Sequence, residues 1–353
     1  MNLGSDNVTG ASPEIIDAIV RANVGTAESY GADDITGRLD GAFSELFETP
    51  VRVFPVATGT AANALSLSVM APPYGAIYCH ENSHVAVDEC NAPEFYTGGA
   101  RVVPLPGARG KIGADVLSRA IETATPHAEH NAQPAAVSLA QATEFGTSYT
   151  PEEVAALCGI AHGHGLVTHM DGARIANSVV HLGCSFADVT WRAGVDVMSF
   201  GATKNGAVAA EALVFFKPDY AETILFRRKR AGHLLSKMRF FSAQLEAYLT
   251  NGLWRRNAEH ANAMARRLAE GLSAIPGVRL IHPVEANEIF IHLPPTVVRA
   301  LRAEGHAVGL WGDPEDSVAR FVTAFNTDAS ELDAFVASAQ EAAKSEAANA
   351  KAG

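Results

Sequence analysis

The sequence predicts an α/β fold: a large domain with a mostly parallel seven-stranded sheet, then a smaller C-terminal α+β domain. Three observations lead there. Short β-branched runs alternate with longer helical stretches, the pattern of strands joined by crossover helices. Several of these runs lack polar alternation, as strands covered on both faces do. After Phe216 the character changes and long helical patterns take over. Length agrees, because 353 residues at about 150 per domain give roughly two. The division is placed at residues 1–250 and 251–353, with the N-terminal segment contributing to the site of the large domain.

In chain order, the expected strands of the large sheet are Val51–Val56, Ala76–Cys79, Arg101–Leu105, Ala135–Leu139, Leu166–Met170, Val195–Phe200 and Leu213–Phe216. Helical stretches Thr60–Met70, Ala114–Glu122 and Pro151–His162 lie between them. Pro151 suits a first helical turn, and Glu152 and Glu153 suit its positive dipole end. A basic stretch, Arg227-Arg228-Lys229-Arg230, precedes helical patterns around Phe240–Leu249 and Ala258–Leu272. Strand-like Val278–Ile281, Ile289–Leu293 and Phe321–Phe325 follow, with helical Val297–Ala303 among them. From Ala337 the chain is rich in Ala, Glu and Lys and reads as a helix that frays at Lys351-Ala352-Gly353.

Composition excludes several classes of function. With 48% hydrophobic and 19% charged residues, the chain has enough apolar surface for a large core and is not disordered. Lys plus Arg total 27 against 39 for Asp plus Glu, a net charge of −12. A general nucleic-acid or anionic-membrane binder needs the opposite balance. Cys79, Cys90, Cys158 and Cys184 stand singly, with no C-x-x-C pair, which fits a reducing compartment better than a disulfide framework. Met1–Asp6 lacks the basic-then-apolar pattern of a secretory leader, and no apolar run approaches the ~18–20 residues that span a bilayer. The most apolar run, Ala207–Phe216, is short and contains Glu211. The expected setting is the cytoplasm.

Three segments carry the chemistry. Ala57-Thr58-Gly59-Thr60-Ala61-Ala62-Asn63 joins a strand to a helix, and its small residues let backbone N–H groups approach a phosphate. His169-Met170-Asp171-Gly172-Ala173-Arg174 lies at the carboxyl end of a strand, the edge where open α/β sheets bind ligands. Ser199-Phe200-Gly201-Ala202-Thr203-Lys204-Asn205-Gly206 sets a lysine among small residues, where desolvation makes it an amine nucleophile. Each has a plain alternative: a capped turn, a structural ion pair, an exposed loop lysine. A phosphate cradle, an Asp and then a Lys, in that order, match a pyridoxal-phosphate enzyme, whose cofactor needs phosphate, ring nitrogen and aldehyde all engaged.

These residues resemble the L-threonine aldolase / β-eliminating lyase family of fold-type I pyridoxal-phosphate enzymes, from Ser5-Asp6-Asn7-Val8-Thr9 to about Thr323. The most specific pieces are Asp171-Gly172-Ala173-Arg174-Ile175-Ala176-Asn177 and the Lys204 segment. The resemblance implies a Schiff base at Lys204, Asp171 on the pyridine nitrogen, phosphate contacts from Gly59 and Thr60, and His84 stacked on the ring. It implies that Ser5, Arg174 (also beside the cofactor) and Arg320 bind the substrate carboxylate, Arg320 reaching in from the second domain. Lys229 and Arg239 are implied to enter a neighbouring subunit's site, making the protein a homodimer or homotetramer with shared active sites. A solvated basic helix end is the alternative for Lys229.

The implied reaction is retro-aldol cleavage of L-threonine or a related β-hydroxy-α-amino acid, a phenylserine-like one included, to glycine and an aldehyde. In Gln141-Ala142-Thr143-Glu144-Phe145 this chain departs from commoner members, which carry a histidine near this point. Glu144 and His84 therefore compete as the base for the hydroxyl proton. Another reaction on the same fold, β-elimination or transamination, is the nearest alternative. A zinc hydrolase using His80, Glu81 and His84 is more distant. His80-Glu81-Asn82-Ser83-His84 matches H-E-x-x-H, but that motif needs a helix, whereas His80 follows a strand and Asn82-Ser83 starts a helix. No metal is expected, and His162-Gly163-His164 reads as a helix end that caps or faces solvent.

Overall fold

A computed structural model describes residues 1–124 and 128–352. Seven strands form the large sheet: β1 (Arg52–Val56), β2 (Gly75–His80), β3 (Arg101–Leu105), β4 (Gln133–Ala140), β5 (Val167–Gly172), β6 (Val197–Gly201) and β7 (Glu211–Phe215). Their order is β1-β7-β6-β5-β4-β2-β3. β7 runs antiparallel to both its neighbours, and the other adjacent pairs are parallel. Every residue of β2, β6 and β7 is buried, which is why their runs show no polar alternation. One face packs on Phe43, Phe47, Phe186, Tyr248 and Trp254, grouped around Phe200. The helix Gly59–Met70 covers the other face, and the core there includes Phe54, Ile77 and Phe215.

A second sheet holds β8 (Arg279–Leu280), β9 (Glu288–His292), β10 (Gly309–Leu310) and β11 (Val318–Val322), all antiparallel in the order β10-β11-β9-β8. The strand expected at Phe321–Phe325 therefore lies three residues earlier at its start. Past Val322 the chain turns: Ala324 N–H donates to Thr327 Oγ1 at 2.8 Å and Thr327 N–H to Ala324 O at 3.1 Å. β10 has two residues and left no periodic trace in the sequence.

The helix Leu253–Ser273 begins five residues before the expected start at Ala258 and links the sheets through side-chain amides. Asn257 donates to Asn205 O at 2.8 Å, and Asn262 to Asn177 O at 2.9 Å. The N-terminus belongs to the second core: Leu3 packs with Leu268, Ile291 and Phe321, and its carbonyl accepts from Val322 N–H at 2.8 Å. That anchor delivers Asp6 and Asn7 to the edge of the large sheet. The helix Pro151–Gly163 carries a full capping box between Thr150 and Glu153. The final helix spans Ala329–Ala352; Gly353 lies outside the described residues. Among the described residues no helix is long and apolar enough to cross a membrane.

Candidate active site

The carboxyl ends of adjacent parallel strands β5 and β6 place Asp171 and, three residues past β6, Lys204 on one rim. Two glycines make this possible. A Cβ on Gly201 would lie 2.6 Å from the Ala173 carbonyl, so only glycine lets the strands close there. Gly206, at φ +110°, turns the chain back after Lys204 against Ser12 and Asn257. Asn205 fixes the turn by donating to Tyr248 Oη at 2.7 Å and Trp254 O at 2.9 Å.

A cavity of about 210 Å³ opens at this rim, lined among others by Thr58, Gly59, Thr60, His84, Asp171 and Lys204. Thr58 caps the helix Gly59–Met70, its Oγ1 accepting from Ala61 N–H at 3.2 Å. The first-turn N–H groups of Gly59 and Thr60 precede any intrahelical partner and form an anion cradle. Asp171 accepts from Asn63 Nδ2 at 2.8 Å and from Ala173 N–H at 3.0 Å. Burial pushes its carboxyl up, but His84, Lys204 and these hydrogen bonds outweigh burial and hold it below the usual range, ionised. His84 Nδ1 stands 2.9 Å from Glu89 Oε1, and that hydrogen bond raises the imidazole above its ordinary value against burial.

Two further carboxyls face the cavity. Burial, then the Glu288 charge, raises Glu144, opposed by Lys204 and Arg174. Burial pushes Glu211 up to about 7, opposed by Thr203 and Lys204. Behind them His169, lowered by burial to about 4, is a neutral spacer between Ser138 Oγ (2.9 Å) and Ser199 Oγ (3.0 Å).

Arg174 is buried and already engaged. Its Nε and Nη2 donate to Asp6 at 2.7 and 3.0 Å, and Nη1 lies 3.2 Å from Glu288 Oε2. Glu288 Oε1 accepts in turn from Arg320 Nη2, and Arg320 Nη1 reaches the Gly4 carbonyl at 3.3 Å. Burial alone would raise Asp6; the Arg174 charge and hydrogen bonds, with Lys204 and Asn287, hold it below the carboxylate range instead. Two carboxylates and two guanidiniums thus form one chain, Asp6–Arg174–Glu288–Arg320.

Gly59, Thr60, His84, Glu144, Asp171, Arg174 and Lys204 line the one cavity. Ser5 caps its own turn, accepting from Asn7 N–H at 3.1 Å, and Asn7 takes the cavity wall instead. Arg320 touches the cavity's Arg174 only through Glu288. Lys229 lies over the Tyr30 ring at 4.5 Å and Arg239 over Phe240 at 5.2 Å, away from this chain's own cavity lining. His80 ends β2 with Nε2 at 3.1 Å from Gly107 O and Nδ1 accepting from Asn82 N–H, while His84 opens the next helix. The H-E-x-x-H spacing therefore spans a loop. His162 and His164 lie exposed at the helix end, as expected, and His162 also pairs with the buried Asp196 at 2.9 Å.

Sequence reasoning missed Asp6, Asn63, Glu89 and Glu288 as site residues. Glu211 left a signal as the charge within the most apolar run; Asn63 left one as the single amide on a helix of small and apolar residues. Glu288 left none, because it acts only through closure of distant segments.

The donor set fits pyridoxal phosphate. The buried, ionised Asp171 receives hydrogen bonds only from two neutral donors, Asn63 and Ala173, so a protonated ring nitrogen would give it a directly bonded cation. The helix N-terminus suits the phosphate and Lys204 the aldehyde.

The sequence profile of the β-eliminating lyase family matches residues 2–294. The chain is 42% identical over 329 residues to a low-specificity L-threonine aldolase of Pseudomonas aeruginosa, covering 92% of each. It is 27% identical over 303 residues to a low-specificity L-threonine aldolase of Saccharomyces cerevisiae, covering 83% of this chain and 74% of the relative. The structure of a threonine aldolase of Leishmania major superposes with a TM-score of 0.89 at 26% identity, covering 96% and 98% of the two chains. The cavity and these likenesses agree: the chain belongs to the β-eliminating lyase family, together with the low-specificity L-threonine aldolases.

Proposed function

We propose that this chain is a pyridoxal-phosphate-dependent aldehyde-lyase that cleaves L-threonine and related β-hydroxy-α-amino acids to glycine and an aldehyde. The observation that carries it is the convergence of Asp171, Lys204 and the Gly59–Thr60 cradle on one cavity, in a chain 42% identical to a low-specificity L-threonine aldolase. Pyridoxal phosphate, when bound, supplies a carbonyl that captures the substrate amine and a cationic ring that draws electrons from the breaking Cα–Cβ bond. The first-turn N–H groups of Gly59 and Thr60 hold its phosphate, and Asp171 holds a proton at its ring nitrogen. His84 covers a ring face, and Lys204 brings its amine to the reacting carbon.

The substrate carboxylate is taken by Arg320, whose Nε is buried without a hydrogen-bond partner, while Arg174 is kept in place by Asp6 and Glu288. Ser5 closes that end from the N-terminal segment. His84 and Glu144 are the two groups placed to take the β-hydroxyl proton. The large sheet with residues 1–250 forms one domain and 251–353 the other, except that Met1 and Leu3 pack into the second core, and the carboxylate end lies where the two domains meet. Lys229 and Arg239, which do not line this chain's own cavity, serve a neighbouring copy of the chain in a homo-oligomer, a dimer or tetramer.

Lys204→Ala tests the reading. It removes the visible absorption of the lysine-bound cofactor and reduces glycine release to background; retention of both rejects the proposal. Product analysis separates the alternatives, because β-elimination or transamination yields a keto acid in place of glycine plus aldehyde.

A further inference from the structure

Glu89 is a buried carboxylate that none of the steps above requires. It lies five residues beyond His84, just before Cys90 and Asn91, which both take left-handed backbone conformations (φ 49° and 59°) as the chain turns into the next helix. Its Oε1 meets His84 Nδ1 at 2.9 Å and accepts from Asn63 Nδ2 at 2.7 Å. The same amide nitrogen donates to Asp171 Oδ2 at 2.8 Å. One asparagine therefore ties the carboxylate behind the imidazole to the carboxylate at the end of β5. An ionised carboxylate only accepts, so the proton of a neutral His84 sits on Nδ1 and Nε2 is the free acceptor.

We propose that Glu89 is the positioning residue of His84, fixing its ring and tautomer so that Nε2 takes the β-hydroxyl proton. The inference rests on the aldolase reading. The proton leaves the hydroxyl oxygen for Nε2, the O–H pair becomes the aldehyde carbonyl, and His84 becomes an imidazolium paired with Glu89. The reaction as a whole moves one proton from that oxygen to Cα of glycine. A group that takes the first and returns the second ends each turnover unchanged.

The groups around His84 agree with this role. Glu89 contributes most to its raised proton affinity, and Asp171 from β5 and Glu144 from the loop after β4 add to it, while burial opposes. Lys204 and Arg174 are the cations on the same cavity. Glu144 is itself raised, first by burial and then by the Glu288 charge, with Lys204 and Arg174 opposing.

The test uses Glu89→Gln, with Glu89→Asp as the conservative partner. Ring-labelled histidine in the cofactor-free protein is titrated by NMR, the His84 signal being identified by its loss in His84→Asn. In Glu89→Gln the His84 midpoint falls, and in Glu89→Asp it returns part of the way. In the holoenzyme, the acid limb of kcat/KM for Glu89→Gln moves to lower pH, and the plateau falls at least about tenfold. An unmoved His84 midpoint overturns the proposal, and so does a shifted midpoint with an unchanged pH profile and plateau. Near-UV circular dichroism and the cofactor band report whether each variant folds; if Glu89→Gln does not, the same two readouts on Glu89→Asp decide. A wild-type protein that releases no glycine would instead defeat the aldolase reading, while the NMR arm still reports whether Glu89 holds His84.

Discussion

The two ends of the cavity are built on different principles. At the ring end, Asp171, Lys204, Gly59 and Thr60 sit where a strand meets a loop or helix, and each is placed by its own short stretch of chain. Asp171 there is hydrogen-bonded only by neutral amides, and its nearby cations, His84 and Lys204, act on it through charge alone. At the carboxylate end, Asp6, Arg174, Glu288 and Arg320 come from four distant segments and neutralise one another before any ligand arrives. One end is charged and awaiting a partner. The other is largely neutralised, with Arg320 Nε still unpartnered, which suits a reaction that requires a firm cofactor and an exchangeable substrate.

The ring end should fail hardest in activity. Lys204→Ala abolishes turnover, and Asp171→Asn lowers kcat about 10²- to 10³-fold by removing the charge that stabilises a cationic ring. Both variants should retain nearly wild-type melting behaviour if that end is poised for a ligand.

The carboxylate end should fail in stability. Asp6→Asn leaves Arg174 buried with a partner removed and costs about 3–5 kcal/mol in urea unfolding at pH 7. The sign with pH follows from the lowered Asp6 value. Its contribution is fully present above the ordinary carboxyl value of 3.8 and is lost as pH falls through the folded value. Acid titration of the unfolding free energy should therefore be steeper in wild type than in Asp6→Asn below about pH 4.

Arg320→Ala removes a charge-assisted contact of about 1.5–3 kcal/mol, lowering kcat/KM about 10- to 100-fold, mainly through KM. An effect confined to kcat would erase the distinction between the two ends. Lys229→Ala gives the smallest effect: stability within about 0.5 kcal/mol, with weaker cofactor retention only under conditions where the protein is oligomeric.

The sequence by itself determined the α/β layout, because strand-like runs, several without polar alternation, alternating with helical stretches have few other arrangements, and it pointed to the ring end, because those residues are adjacent to the strand and helix ends that position them. His80 and His84 could be separated from a metal motif on the same local grounds. Tertiary structure alone decided the carboxylate end. The resemblance implies Arg174 as a substrate ligand, yet Asp6, 168 positions away, engages it, and Glu288 joins it to Arg320 across the small sheet. The same holds for Glu89, whose meaning depends on Asn63 one helix earlier and Asp171 three strands over in sequence. Hydrogen bonds and ion pairs between segments carry no periodicity. They exist only once hydrophobic burial has brought the segments together, so no pattern along the chain announces them.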